Sequence, residues 1–196
     1  TSGDTIKHGL STAPKIIIIK KRSASDNWTM LNTNISLDTH LHLNADSGVV
    51  SDPMFTNTAP TTSVFTVDSV NESGHTFISY CFSEVQGYSR FGKYSGNGNA
   101  SGPVIWTGFK PAWIMYKRTD SSGDWYIKDN KRSGTAAGQN FGQMNPNETE
   151  HPSANTTDVE NKASAFSMDI LSNGFKPRGT DAEMNASGGT YVYLAF

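Results

Sequence analysis

Two stretches of the sequence repeat each other closely. The segment "VNESGHTFISYCF" covers residues 70–82, and "MNASGGTYVYLAF" covers residues 184–196. In both, an Asn-x-Ser-Gly element precedes an alternating apolar run that ends in phenylalanine, and the spacing agrees residue for residue. Self-similarity of this kind identifies the unit that folds, because a repeated sequence builds a repeated supersecondary structure.

The beginnings of the two halves also correspond. The run "PKIIIIK" at residues 14–20 matches "PAWIMYK" at residues 111–117, and a tryptophan stands eight residues beyond the lysine in each half. The duplication therefore predicts two homologous units, a first β-sandwich repeat over residues 1–94 and a second over residues 95–196.

Short alternating or β-branched runs such as "NWTML", "DWYIKD" and "TYVYLAF" predict strands bounded by turn residues. No stretch of eleven or more residues shows apolar recurrence at helical spacing, and the best candidate, residues 163–171, can be read equally well as a strand. The expected fold is an all-β, antiparallel β-sandwich built from two homologous repeats. Two arrangements stay open, namely tandem sandwiches or one larger pseudo-symmetric jelly roll.

Local chemistry predicts the turn before each final strand and part of the core. In the Asn-x-Ser-Gly turns, Gly74 and Gly188 are expected to supply a positive φ angle. Cys81, the only cysteine, lies on an alternating run and is expected to be a small buried residue rather than a nucleophile. We also expect three tryptophans to fill the sandwich: Trp28, Trp113 and Trp125.

The charge and hydropathy of the chain argue against two kinds of partner. A formal net charge of −2 provides no field that would attract a polyanion, so nucleic-acid binding is not expected. The longest uninterrupted aliphatic run is only Ile16 to Ile19, far short of the roughly 18–20 residues that cross a bilayer. Membrane insertion is therefore not expected either.

The acidic residues do not form a recognisable catalytic motif. A glycosidase would need a pair of carboxylates across the scissile bond, and no two acidic residues of the second half occur in such a pattern. We expect these side chains to be solvated, no catalytic residue, no enzymatic activity and no cofactor. The carboxylates considered were Asp124, Asp129, Glu148, Glu150, Asp158 and Glu160.

A metal site has one weak candidate. His40 and His42 are two apart in "THLHLN", so both would point to the same side of a strand, and Asp38 would share that side. No further ligand stands at a telling distance, and a polar, solvent-facing strand explains the pattern equally well. The sequence therefore predicts no metal and leaves these three residues as candidates.

A ligand-binding surface has a better candidate in Trp106. Its counterpart in the first half is Lys7, and a position occupied by lysine in one copy is not expected to be core in the other. Residues 132–165 form a long stretch rich in Gly, Asn and Thr, which is typical of a binding element or a contact with another chain. We expect Trp106, Asn140 and Phe141 to contact a glycan or a partner.

Several phrases resemble a known group of proteins. "YSGNGNASGPVIWTGFKPAWIMYKRTDSSGDWYIKD", "SNGFKPRG" and "SGGTYVYLAF" are similar to the tandem-repeat modules of tail-fibre-like and other virion surface proteins of tailed, particularly marine, phages. Such modules are sometimes compared with concanavalin-A-like sandwiches. The resemblance transfers no catalytic residue.

The resemblance implies a location on the virion surface and a non-enzymatic structural role in assembly and host attachment. The implied partners are other virion proteins, further copies of the same chain in a homo-oligomer, and a host-surface glycan. The alternative is a carbohydrate-binding, lectin-like module that recognises host polysaccharide in its own right.

Overall fold

Antiparallel strands make up almost all of the regular structure of the chain. The computed structural model describes residues 3–52, 54–131, 150–162 and 164–196. Strands account for 39% of the described residues and helices for 4%, so the prediction of an all-β fold is confirmed. Every pairing between strands in these ranges is antiparallel.

The chain forms two compact units, Thr1–Glu84 and Val85–Phe196. The boundary lies ten residues earlier than the expected division between residues 94 and 95. The physical reason is that the strand Arg90–Ser95 pairs along its whole length with the strand Thr190–Ala195. Residues 85–94 therefore contribute to the core of the second unit, although the sequence comparison had placed them at the end of the first repeat.

Unit 1 contains two sheets. Its strands are β1 (Asp4–Lys7), β2 (Ile16–Lys21), β3 (Trp28–Asn32), β4 (Thr39–His42), β5 (Val50–Ser51), β6 (Val64–Val67) and β7 (Phe77–Phe82). Five of them form one sheet in the order β5-β4-β3-β2-β7, and β1 pairs with β6 in a second, two-stranded sheet.

One buried cluster of unit 1 lies between these two sheets, and Ile16, Met30 and Leu41 are buried on the other side of the five-stranded sheet. Alternation along β2 directs Ile17 and Ile19 to one side of the five-stranded sheet, and Phe65 and Val67 of β6 face them from the other sheet. Each such side chain contributes about 1.5–3 kcal/mol when fully buried. The buried cluster is Ile17, Ile19, Leu31, Phe55, Phe65, Val67 and Val70.

The described part of unit 2 contains three sheets and two short helices. Its strands are β8 (Arg90–Ser95), β9 (Ile105–Trp106), β10 (Trp113–Arg118), β11 (Tyr126–Asp129), β12 (Glu150–His151), β13 (Asn161–Lys162), β14 (Met168–Leu171), β15 (Gly174–Pro177) and β16 (Thr190–Ala195). The sheet orders are β11-β10-β16-β8, β14-β15-β9 and β12-β13. A 3-10 helix covers Ser164–Phe166, and α1 covers Ala182–Asn185.

No helix in the described part of the chain has the length and apolar character that a membrane span needs. The segment 163–171, which the sequence left between helix and strand, contains the 3-10 helix and then β14. The helix α1 begins after Asp181, whose side chain accepts a hydrogen bond from the backbone N–H of Glu183 and so caps the first turn.

The core of unit 2 is rich in tyrosine. Tyr94 and Tyr191 stack with ring centroids 4.7 Å apart and planes inclined by 12°, and Phe175 of the three-stranded sheet meets Tyr94 edge-on. The Tyr94 hydroxyl donates to the Met184 carbonyl at 2.9 Å, which satisfies a polar group inside the core. The two larger sheets thus enclose a sandwich-like core that includes aromatic rings from both of them.

The same strand pairing recurs in both units. In unit 1, β2 lies between β3 and β7, and in unit 2, β10 lies between β11 and β16. Lys15 donates its backbone N–H to the carbonyl of Phe82 at 2.8 Å, and Ala112 donates to the carbonyl of Phe196 at 2.6 Å. Three pairs of strand partners correspond between the units. Ile17–Leu31 corresponds to Ile114–Lys128, Ile17–Cys81 corresponds to Ile114–Ala195, and Ile6–Phe65 corresponds to Ile105–Phe175.

This agreement in register is what a duplication would produce, and descent from one repeat stays a prediction. The turns before the two final strands also agree. Gly74 has a φ of 81° and Gly188 has a φ of 74°, which confirms the expected use of glycine at both positions.

Candidate functional site

Trp106 lies on an edge strand with its side chain in solvent. It pairs with Gly174 of β15 and is 65% exposed, while its neighbour Ile105 points into the core. The next residue, Thr107, donates its backbone N–H to the carbonyl of Asn173 at 3.0 Å, which holds this part of the strand in place. Trp106 therefore has the exposure that a stacking contact requires. Its expected partners Asn140 and Phe141 lie outside the described residues.

A second exposed aromatic group lies on the five-stranded sheet of unit 1. Trp28 and Tyr80 are 37% and 41% exposed, and their rings stack with centroids 6.3 Å apart and planes inclined by 26°. Ile78, which is 38% exposed, extends the apolar area. Lys20 of β2 lies between them, paired with Trp28 of β3 on one side and with Ile78 of β7 on the other. We call these four residues the Trp28 surface.

Strand alternation explains the direction of the Trp28 surface. Ile17 and Ile19 of β2 face the core, so Lys20 and the residues paired with it face the other side of the sheet. Aromatic rings with a polar rim offer large, rigid contact area, and they are typical of interfaces and ligand sites. The surface can stack a flat apolar face, such as that of a sugar ring, beside a lysine.

The tryptophan predictions are only partly correct. Trp125 is fully buried, as expected. Trp113 is half-buried and lies against Phe196 with ring centroids 5.8 Å apart, outside the core cluster of unit 2. Trp28 is exposed, so its placement in the core was wrong. The strand partner of Trp28 is Lys20, and this pairing is visible only in the structure.

Backbone hydrogen bonds do not distinguish Trp28 from Trp125. Asn155 accepts from the N–H of Trp125 at 2.8 Å, and Ala154 donates to its carbonyl at 2.7 Å. The N–H of Trp28 likewise donates to the side chain of Asn44 at 2.8 Å, and Leu43 donates to its carbonyl at 2.9 Å. The two tryptophans differ in the covering of the ring, which is complete for Trp125 and partial for Trp28.

His40 and His42 come together on β4, as their spacing indicated. Their Nε2 atoms are 3.0 Å apart, and the Nδ1 atom of His40 lies 3.2 Å from the carbonyl oxygen of Asp52. His40 is 2% exposed, and His42 is half-buried. Burial lowers the pKa of both imidazoles, and the neighbouring His40 lowers the pKa of His42 further.

Asp38 does not complete a metal site with the two histidines. It is exposed and precedes β4. Among the described residues there is no group of three or more His, Cys, Asp or Glu side chains that could hold a metal ion.

A partly buried polar cluster in unit 2 escaped the sequence analysis. Glu183 of α1 accepts hydrogen bonds from the hydroxyl of Tyr126 and, at 3.2 Å, from the backbone N–H of Asp124. Asp124 in turn accepts from Asn155 at 2.7 Å. Burial, followed by the bond to Glu183, raises the pKa of Tyr126 well above its usual range. These groups tie α1 to the start of β11.

The other acidic candidates are scattered. Asp129 accepts from the backbone N–H of Lys131 at 2.9 Å, and Asp158 and Glu160 are exposed. Glu148 and the side chain of Glu150 lie outside the described part of the structure.

Cys81 packs beside the core of unit 1. Its side chain contacts the buried cluster on the inner side of β7 and is half-buried. Burial raises the pKa of the Cys81 thiol, so the protonated form prevails at neutral pH.

The model of one protein family, described as a domain of unknown function, DUF7483, matches residues 1–196. The chain belongs to this family. Neither the curated proteins nor the solved structures contain a match. Family membership covers both units and carries no activity with it, so the function is argued from the surfaces described above.

Proposed function

We propose that the chain is a non-enzymatic structural module of a phage virion surface appendage that serves assembly and host-surface attachment. The resemblance of its sequence to tail-fibre-like modules supports the location. The observation that carries the attachment role is the Trp28 surface, where two large aromatic rings lie side by side in solvent. Aromatic residues are enriched at interfaces, and contiguous exposed apolar patches often mark interaction sites.

Strand β7 supports the assembly role. It forms one edge of the five-stranded sheet, and Ile78, Ser79 and Tyr80 in its centre are exposed. A six-residue edge strand presents backbone N–H and carbonyl groups that can pair with a strand of another chain. The partners would be further copies of this chain or other virion proteins.

Immunogold electron microscopy tests the location. Antibodies raised against the purified chain should label intact particles of the virus that encodes it, at a surface appendage. Production of the chain during infection without incorporation into particles would contradict the proposal. Light scattering coupled to size exclusion should show a homo-oligomer, and Ser79→Pro should shift it to monomer, because proline removes a backbone donor at the edge.

The second candidate function is a carbohydrate-binding module, and the exposure of Trp106 and of the Trp28 surface favours it. Each aromatic ring can stack on a sugar ring. The test is a glycan array with the purified chain, followed by the variants Trp106→Ala, Trp28→Ala and Tyr80→Ala. Tyr88→Ala is the matched control, because Tyr88 is 64% exposed and belongs to neither surface.

The array separates the two candidates. Selective binding that disappears in Trp106→Ala or Trp28→Ala, with Tyr88→Ala unchanged, supports direct glycan recognition. Silence across the array, together with labelled virions, supports a structural role in which attachment is carried by other chains. Equal binding in all four variants would remove both aromatic surfaces as ligand sites.

A further inference from the structure

We propose that His40 and His42 form a two-histidine binding site in unit 1 for a divalent transition-metal ion of the Zn²⁺, Ni²⁺ or Cu²⁺ class. The proposal is independent of the virion and glycan roles.

The positions of the two Nε2 atoms fit a shared ion. Imidazole nitrogens bind such ions at about 2.0–2.1 Å, so two of them at about 90–110° around one ion lie about 3.0–3.4 Å apart. The observed separation is 3.0 Å, with ring centroids 4.8 Å apart and planes inclined by 37°. The alternation of β4 produces this arrangement, because residues two apart on a strand point the same way.

The surroundings of His40 prepare it as a ligand. Its Nδ1–H donates to the carbonyl of Asp52 at 3.2 Å, which leaves Nε2 as the unprotonated nitrogen, 3.0 Å from Nε2 of His42. Metal-binding histidines commonly donate their second ring N–H to a carbonyl or carboxylate, because this bond sets the tautomer and the ring orientation. The strand pairing of His40 with Val50 of β5 holds its backbone.

The ligand chemistry selects the class of ion. Two imidazoles without a thiolate or a carboxylate cluster suit zinc, nickel and copper and do not suit calcium or magnesium, which require oxygen ligands. His42 is half-buried, so the ion would be approached from its side, and water would fill the remaining coordination positions.

Without metal, the same geometry is a hydrogen bond in which His42 Nε2–H donates to His40 Nε2. Metal binding would change the His42 tautomer, with its proton moving from Nε2 to Nδ1. The two possibilities therefore differ in one measurable property, the affinity for added metal.

The experiment is a calorimetric titration of the full chain, without a histidine tag, with Ni²⁺ and separately with Zn²⁺. We expect one site per chain, with affinity about tenfold or more weaker in His42→Gln and in His40→Gln. The matched control is His75→Gln, which removes another unit 1 histidine that bonds Ser23. Its affinity should equal that of the parent chain.

Two further measurements keep the result decisive. Circular dichroism of each variant without metal establishes folding, and His42→Gln replaces a half-buried side chain that a folded unit can lose. In histidine-detected NMR, zinc should shift the Nε2 resonances of His40 and His42 alone. Equal affinity in the parent chain and in folded His42→Gln, or shifts confined to other histidines, would overturn the proposal.

Discussion

Trp28 and Tyr80 stack at 6.3 Å although their strands, β3 and β7, do not pair with each other. Strand β2 lies between them, and the two rings meet across it on the side opposite Ile17 and Ile19. The contact is therefore a product of the sheet as a whole. It explains why the Trp28 surface is not visible in any single segment of the sequence.

The two corresponding tryptophans should differ sharply in their contribution to stability. Trp125→Ala removes a fully buried ring and should lower the free energy of unfolding by about 3–5 kcal/mol. Trp28→Ala removes an exposed ring and should cost about 1 kcal/mol or less. Urea denaturation followed by circular dichroism measures both changes. Equal losses in the two variants would contradict the different burial of the two sites.

Substitution of Gly174 should destabilise unit 2 for steric reasons. A Cβ atom at this position would lie under 3.0 Å from the backbone oxygen of Ile105, because β15 and β9 approach closely here. We expect Gly174→Ala to reduce the free energy of unfolding by about 1–3 kcal/mol. Gly123→Ala is the control, since its Cβ would meet only side-chain atoms at 3.4 Å or more. Thermal melts that shift equally for both variants would disprove the explanation.

The Arg118–Asp120 pair should make part of the free energy of unfolding depend on pH in the acidic range. The guanidinium donates to Asp120 at 3.0 and 3.1 Å, and this bond is the main reason that the pKa of Asp120 falls to about 2. A carboxyl group with a lowered pKa stabilises the fold at any pH above its pKa in the unfolded chain, about 3.9. This contribution is lost as the pH falls toward about 2.

The matching variant is Asp120→Asn, which should lose about 1 kcal/mol or less at pH 7, because Asp120 is 38% exposed and solvent screens the pair. The difference from the parent chain should shrink between about pH 4 and pH 2. Asp158→Asn, at an exposed aspartate, serves as the control. The measurement is a series of urea midpoints, and a difference that stays constant down to pH 2 would contradict the prediction.

Buried tyrosines should resist ionisation until unit 2 unfolds. Burial is the main cause that raises the pKa of four of the seven tyrosines. Their protonated form therefore stabilises the fold fully below about pH 10, the pKa of tyrosine in the unfolded chain, and this contribution is lost as the pH rises further. Absorbance at 295 nm should therefore show these four groups ionising together with the loss of circular dichroism. Reversible ionisation of all seven near pH 10 in a folded chain would contradict this. The four are Tyr94, Tyr116, Tyr126 and Tyr191.

The all-β class and the turn glycines were predictable because they depend on local rules. Alternation with period two identifies strands, and the steric freedom of glycine identifies Gly74 and Gly188 as turn positions. The joint direction of His40 and His42 follows from the same alternation. The exposure of Trp106 was also accessible, since a position shared with Lys7 tolerates solvent.

Other features could not be predicted because they depend on partners distant in the chain. Tyr126 and Glu183 are separated by 57 residues and meet only because α1 packs on β10. Unit 2 begins ten residues before the predicted division, because residues 90–95 complete a sheet with the last strand of the chain.

The sequence by itself thus determined the strands, their turns and which side chains share one side of a strand, since these follow from backbone geometry over a few residues. Only the tertiary structure decided which of those sides is covered. Burial depends on distant parts of the chain that cover one side of a strand, and equivalent positions can differ in it: Trp125 is enclosed, while Trp28 is exposed.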